Sequence, residues 1–139
     1  MLLTYRTTQT DEGPLLVHIS EQRVPITTLS VDRGNGDLAA EVFGIGYALG
    51  KGLKHSELQV FSEDLQSALE ALVELEKEDW SCAIFHAHHI RILLEAGFPE
   101  PPWKKYGVSR TWFKKVVKDL EPGWVFTHMY SLGVVGETP

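Results

Sequence analysis

Apolar and polar positions alternate with a period of two over the first third of the chain and follow a helical period over most of the rest. Leu2-Leu3-Thr4-Tyr5-Arg6-Thr7-Thr8 is rich in β-branched and aromatic residues, and Asp11-Glu12-Gly13-Pro14 has turn chemistry, so a strand and a hairpin turn are predicted. Leu15 to Ser20 predicts a second strand. After the short polar connection Glu21-Gln22-Arg23, Val24 to Val31 predicts a third, with Pro25 near its start, where a missing N–H is tolerated. Asp32-Arg33-Gly34-Asn35-Gly36 ends this meander.

Asp37 is placed to cap a helix over Leu38 to Leu49, since its carboxylate can accept from unpaired amides of the first turn. Ala40, Gly44 and Ala48 recur at spacing four, a smooth stripe that lets a helix backbone lie close on a sheet. Gly44-Ile45-Gly46 with Gly50 does not make a dinucleotide fingerprint, because the third glycine comes a residue late and no strand leads into it. Ser56 to Ser62 predicts a fourth strand. Leu65, Leu69, Leu72, Val73 and Leu75 mark a helix from Asp64 to about Lys77, Glu76 to Asp79 a break, and Ile84, Phe85, His88, Ile90, Leu93 and Leu94 a helix from Ser81 to Ala96. The prolines of Gly97 to Pro102 predict a loop. Ser109 caps a further helix to Leu120 with Trp112, Phe113, Val116 and Val117 inward. Trp124 to Leu132 predicts a fifth strand, and Gly133 to Pro139 a tail.

The order β-β-β-α-β-α-α-α-β predicts an α/β fold: an antiparallel meander joined through a helical crossover to a parallel fourth strand, in a mixed five-stranded sheet with helices on both faces. With 139 residues, 43% of them hydrophobic, one domain over 1–139 is expected. One cysteine leaves no intramolecular disulfide, and neither a leader nor a bilayer-spanning run is evident, so a cytoplasmic protein without membrane association is expected.

The net charge of −6 argues against nucleic-acid binding over the whole surface, but the charge is unevenly placed. Lys104, Lys105, Arg110, Lys114, Lys115 and Lys118 are six of the 13 basic residues, so Pro101 to Asp119 carries +5 and the remainder −11. Trp103, Tyr106 and Trp112 are interleaved with these cations, a mixture suited to a polyanion through charge and stacking together, although a solvated helix face has the same pattern.

Asp37-Leu38-Ala39-Ala40-Glu41 resembles the helix start that carries the metal-binding Glu of the ribonuclease H family. Phe61-Ser62-Glu63-Asp64 resembles its acid-bearing strand end, with Glu63 at the matching position, 22 residues after Glu41, and Asp64 where the family usually has Ser. The basic segment followed by Trp124 to Tyr130 is similar to the family's late helix and fifth strand. The resemblance implies catalytic and metal roles for Glu41, Glu63 and Asp64, a general acid-base role for His128, and Mg2+ or Mn2+ as cofactor. Such nucleases hold two ions in a cluster of carboxylates, one of them near the middle of the first strand. Leu2 to Thr8 has no acid, Asp11 and Glu12 fall in the following turn, and Glu137 is the only acid after the fifth strand. What the resemblance implies is therefore a degenerate member: at most weak metal binding, little or no hydrolysis, and binding of DNA or RNA through Trp103, Lys104, Lys105, Arg110, Trp112, Lys114, Lys115 and Lys118. The alternatives are an active nuclease completed by displaced acids and a protein-protein interaction module.

His86-Ala87-His88-His89 is read as solvated or core-edge histidines rather than zinc ligands, because on a helix only His86 and His89 share a face and no Glu stands beside them in the order a zinc hydrolase helix requires. Cys82 is read as a small core residue.

Overall fold

Strand β1 (Leu2–Gln9) pairs antiparallel with β2 (Leu15–Glu21) and parallel with β4 (Gln59–Ser62), and β2 pairs antiparallel with β3 (Val24–Val31). The result is a mixed sheet in the order β3-β2-β1-β4. The computed structural model describes residues 1–76 and 78–124, which fall into two compact units, Met1–Glu63 and the residues from Asp64 on.

In the first unit the period-two pattern sorts the side chains. Leu15, Val17 and Ile19 are buried with Tyr5 and Ala40, while Leu3 is buried with Ala48 and Leu58. Helix α1 (Gly36–Gly50) covers this face with its smallest residues, Gly36, Ala40, Gly44 and Ala48. A Cβ on Gly44 would stand 2.9 Å from Val60 Cγ2 and 3.3 Å from Leu3 Cδ1, so the helix lies as close to the sheet as a glycine permits. At its other end Tyr47 and Lys51 both donate to Glu21 Oε1, at 3.0 and 3.1 Å, tying the end of α1 to the end of β2. That pair holds the Glu21 carboxyl below its ordinary range, the Lys51 hydrogen bond being the larger cause and the Tyr47 hydroxyl the next.

Two details of this unit depart from expectation. The cap of α1 is Asn35, without a side-chain cap bond, and Asp37 lies inside the first turn with its carboxylate turned to Tyr5. Strand β4 is shorter than predicted, because His55–Glu57 forms a 3-10 turn closed by Glu57 N donating to Lys54 O at 2.9 Å. The β2–β3 connection places Gln22 and Arg23 at φ 46 and 71, both left-handed, as a two-residue hairpin between twisted strands demands.

The second unit is helical: α2 (Leu65–Leu75), α3 (Trp80–Glu95) and α4 (Arg110–Leu120), with 3-10 turns at Trp103–Tyr106 and Glu121–Gly123. Each helix begins at a side-chain cap. Asp64 accepts from Ser67 N, Asp79 from Cys82 N, and Ser109 from Trp112 N, each satisfying an amide that the first turn leaves unpaired. Helix α2 packs on α3 and α3 on α4, burying Leu69, Leu72, Ile90 and Leu93 completely. Burial of each such side chain contributes roughly 1.5–3 kcal/mol.

The sheet has four strands among the described residues, not the five expected. Trp124, where the fifth was to begin, has helical φ and ψ and extends the 3-10 turn over Glu121–Gly123. The rest of that predicted strand, with His128, lies outside the described residues.

Candidate nucleic-acid interface

Tyr5 stands in mid-strand, where the family resemblance would place a carboxylate. Its hydroxyl donates to Asp37 Oδ1 at 2.6 Å. Burial, the Asp37 hydrogen bond, and the negative charges of Asp37 and Glu41 push its pKa well above the ordinary tyrosine range, in that order of weight. A raised folded-state pKa means that this contribution to stability is present in full below the unfolded value of about 10 and is lost as pH climbs toward the folded value. In an absorbance titration one of the four tyrosines is therefore expected to ionise only as the protein unfolds. Tyr5→Phe should abolish that late phase; a late phase that survives would assign the shift to another phenol.

Glu63 is held on the other side of the sheet. Its amide donates to Tyr5 O at 2.8 Å, continuing the β1–β4 ladder, and its carboxylate accepts from Thr4 Oγ1 at 3.4 Å. Thr4 and Tyr5 are successive strand residues and point to opposite faces. In the parallel register Leu3 pairs with Val60 and Thr4 with Phe61, so Glu63 follows Thr4 and Phe61 while Glu41 rides on α1, on the face of Leu3 and Tyr5. This register puts Glu63 on the face of the sheet away from α1, which carries Glu41.

Asp64 serves as the cap of α2, accepting from Ser67 N at 3.0 Å and Ser67 Oγ at 2.6 Å. Its carboxyl is held below the ordinary range first by the Ser67 hydroxyl, with the charge of His89 a smaller cause. Among the described residues no group of three or more His, Cys, Asp or Glu is placed to hold a metal ion. Two-ion hydrolysis with Mg2+ or Mn2+ thus has no ligand cluster there.

The histidines of α3 serve the packing of the second unit. His88 and His89 are buried and His86 half-buried, with burial lowering the pKa of His86. Arg91 lies 3.9 Å over the Trp124 ring, reaches His88 Nδ1 at 3.5 Å and pairs with Glu95 at 3.3 Å. Cys82, expected in the core, is exposed: it sits in the first turn of α3, outside the inward row of Ala83, Ala87 and Ile90. Asp79 beside it raises its thiol pKa, the reverse of what a nucleophile needs.

The basic segment forms a surface. Gly107 at φ +70 ends the turn over Trp103–Tyr106 and lets the chain double back, with Val108 N donating to Trp103 O at 3.2 Å, before Ser109 starts α4. Phe113, Val116 and Leu120 face inward. Arg110, Lys114 and Lys118 recur at spacing four on the solvent side, about 6 Å apart along the axis, with Lys115 beside them and Lys104 and Lys105 on the turn; all six are exposed. Arg110 pairs with Glu100 at 3.0 Å, an exposed pair that contributes little. Among the described residues no carboxylate pairs with the five lysines.

The aromatics of this segment are largely committed to the protein. Trp103 packs on Phe113 with ring centroids 5.3 Å apart, the Tyr106 hydroxyl donates to Glu70 at 3.2 Å, and Trp112 is half-buried. The surface therefore offers charge rather than open rings.

Sequence reading missed Tyr5 as the residue that holds the Asp37 carboxylate. It also missed the outer face of α1, whose four-three-four spacing of large apolar residues was legible beside the small stripe. No helix among the described residues is long and apolar enough to cross a membrane. The chain matches no protein-family model, no curated protein and no solved structure.

Proposed function

We propose that the chain binds nucleic acid through α4 and the turn before it, by contact with phosphates, and does not hydrolyse it. The observation that carries this reading is the row of exposed lysines without carboxylate partners among the described residues, on a segment of +5 in a chain whose remainder is −11. Like charges held side by side repel, and a polyanion relieves that repulsion while releasing its own counterions. Lysines on a helix, with rings turned inward, suit backbone contact and leave base identity unread. The carboxylates Glu63 and Asp64 would in this reading be structural, at Thr4 and the α2 cap, and Glu41 an exposed charge on α1.

The test is binding of a labelled duplex by the full chain at two ionic strengths. Four phosphate contacts correspond to a salt slope of about −3.6, so affinity should fall about a hundredfold between roughly 50 and 200 mM salt. Lys114→Glu with Lys118→Glu should weaken binding by at least about tenfold and flatten the slope. Undiminished affinity in that variant would overturn the proposal, and so would cleavage of the duplex in Mn2+ that Glu41→Gln abolishes.

A further inference from the structure

The face of the sheet turned away from α1 carries a row of polar side chains that runs from the end of β4 across to β3. Arg6 on β1 stands opposite His18 on β2, and His18 opposite Thr28 on β3. On the other side of Arg6 lies Glu63, one step past the Tyr5–Ser62 pair, where its amide extends the ladder to Tyr5 O at 2.8 Å. Thr4 and Arg6 share a face by strand alternation, and the bond from Thr4 Oγ1 to Glu63 Oε2 at 3.4 Å holds the carboxylate on that face too. Glu63, Arg6, His18 and Thr28 are thus lateral neighbours, about 4.8 Å from strand to strand, all within the first unit.

His18 is already committed. Its Nε2 is hydrogen-bonded to Thr8 Oγ1 at 3.0 Å and its Nδ1 to Thr28 Oγ1 at 3.1 Å, so both ring nitrogens are engaged and the ring is fixed across three strands. Arg6 and Glu63 are not committed in this way. Arg6 is exposed and pairs with no carboxylate among the described residues, and Glu63 Oε1 has no donor among them. A cation and an anionic acceptor therefore stand side by side on an open face, each available to an outside group.

We propose that this row recognises RNA, a reading that rests on the nucleic-acid binding above: Arg6 takes a backbone phosphate and Glu63 accepts from the adjacent 2′-hydroxyl. A ligand that satisfies both residues must bring an anion and a hydrogen-bond donor close together. Ribose phosphate does so at every nucleotide, because its 2′-hydroxyl is next to its 3′-phosphate. Deoxyribose phosphate has the anion without the donor, and would leave Glu63 facing a phosphate with no proton between the two negative charges. Selectivity comes from that repulsion as well as from the added hydrogen bond. Glu63 keeps its bond to Thr4 throughout, which is what aims it. The face, with Arg6, Thr8, Thr28 and Ser30 all exposed, suits a chain laid along it rather than an enclosed small molecule.

Three labelled duplexes of one sequence test this with the full chain: RNA, DNA, and RNA methylated at its 2′-oxygens, which stays A-form but has lost the donor. RNA should bind at least about tenfold more tightly than either of the others, the effect of one hydrogen bond to a charged group. Glu63→Ala should bring RNA and its methylated form to equal affinity and tighten the DNA complex, since the repelling charge is gone. Arg6→Ala, at an exposed position, should leave the circular dichroism unchanged, weaken RNA binding and lower its salt slope by about 1. Equal affinity of the wild type for RNA and methylated RNA, both lost in the Lys114→Glu, Lys118→Glu variant, would overturn RNA recognition by this row and leave phosphate binding at α4 standing. Binding of none of the duplexes would overturn both. A preference for RNA over its methylated form that survives Glu63→Ala and Arg6→Ala would also overturn it, because another acceptor would then be reading the hydroxyl.

Discussion

Gly44→Val is expected to destabilise the first unit by about 3 kcal/mol, with the urea midpoint of the circular-dichroism transition lowered accordingly. The Cβ alone would lie 2.9 Å from Val60 Cγ2, 3.3 Å from Leu3 Cδ1 and 3.5 Å from Leu58 Cδ2. Leu3 and Leu58 are fully buried in the sheet face, so neither can swing into solvent to make room. The helix would have to lift, and Ala40 and Ala48 would lift with it, opening the core along the whole inner row. The two further carbons of valine add to the crowding that the Cβ already meets. Gly46→Ala is the control: it lies two residues away in the same helix, faces open space, and should be neutral or stabilising by up to about 1 kcal/mol. A Gly44→Val variant as stable as its parent would mean that α1 does not rest on the sheet at this distance.

The second large effect is expected at Phe113→Ala, with a cost of about 3–4 kcal/mol to the helical unit and a loss of nucleic-acid affinity beyond what the unfolded fraction explains. Phe113 is buried, and Trp103 stands against it from the preceding turn. Removing the ring takes away the floor on which both the turn and α4 rest, so Lys104 and Lys105 would no longer be fixed relative to Lys114 and Lys118. Phosphate contacts add up only while the cations keep a common surface. The measurement pairs thermal unfolding with a binding titration well below the melting temperature. Normal affinity in a destabilised but folded Phe113→Ala protein would show that the two groups of lysines act separately.

Much of the fold was legible because its signals are local. Leu15, Val17 and Ile19 alternate with polar neighbours, and β2 buries those three residues. Ala40, Gly44 and Ala48 share one side of a helix at any position in any fold, and they turned out to be the side against the sheet. Ser109 lies immediately before an amphipathic run, and its hydroxyl caps α4. The parallel pairing of β4 with β1 followed from the single helix that separates it from the meander.

The carboxylates were not legible in the same way. Whether Glu63 shares a face with Glu41 depends on the parity of the β1–β4 register, and a slip of one residue would exchange the faces. That Asp37 serves Tyr5 rather than its own helix start depends on a strand 32 residues earlier in the chain. The exposure of Cys82 likewise depends on which side of α3 its neighbours cover. By itself the sequence determined the first four strands, the three longest later helical runs, the Ser109 cap and the position of the basic segment, since each rests on spacing and on neighbours within a turn or two. Only the tertiary structure decided which acids, rings and cations meet, because side chains distant in sequence are brought within hydrogen-bonding range by strand register and helix packing, and these are settled by the whole core at once.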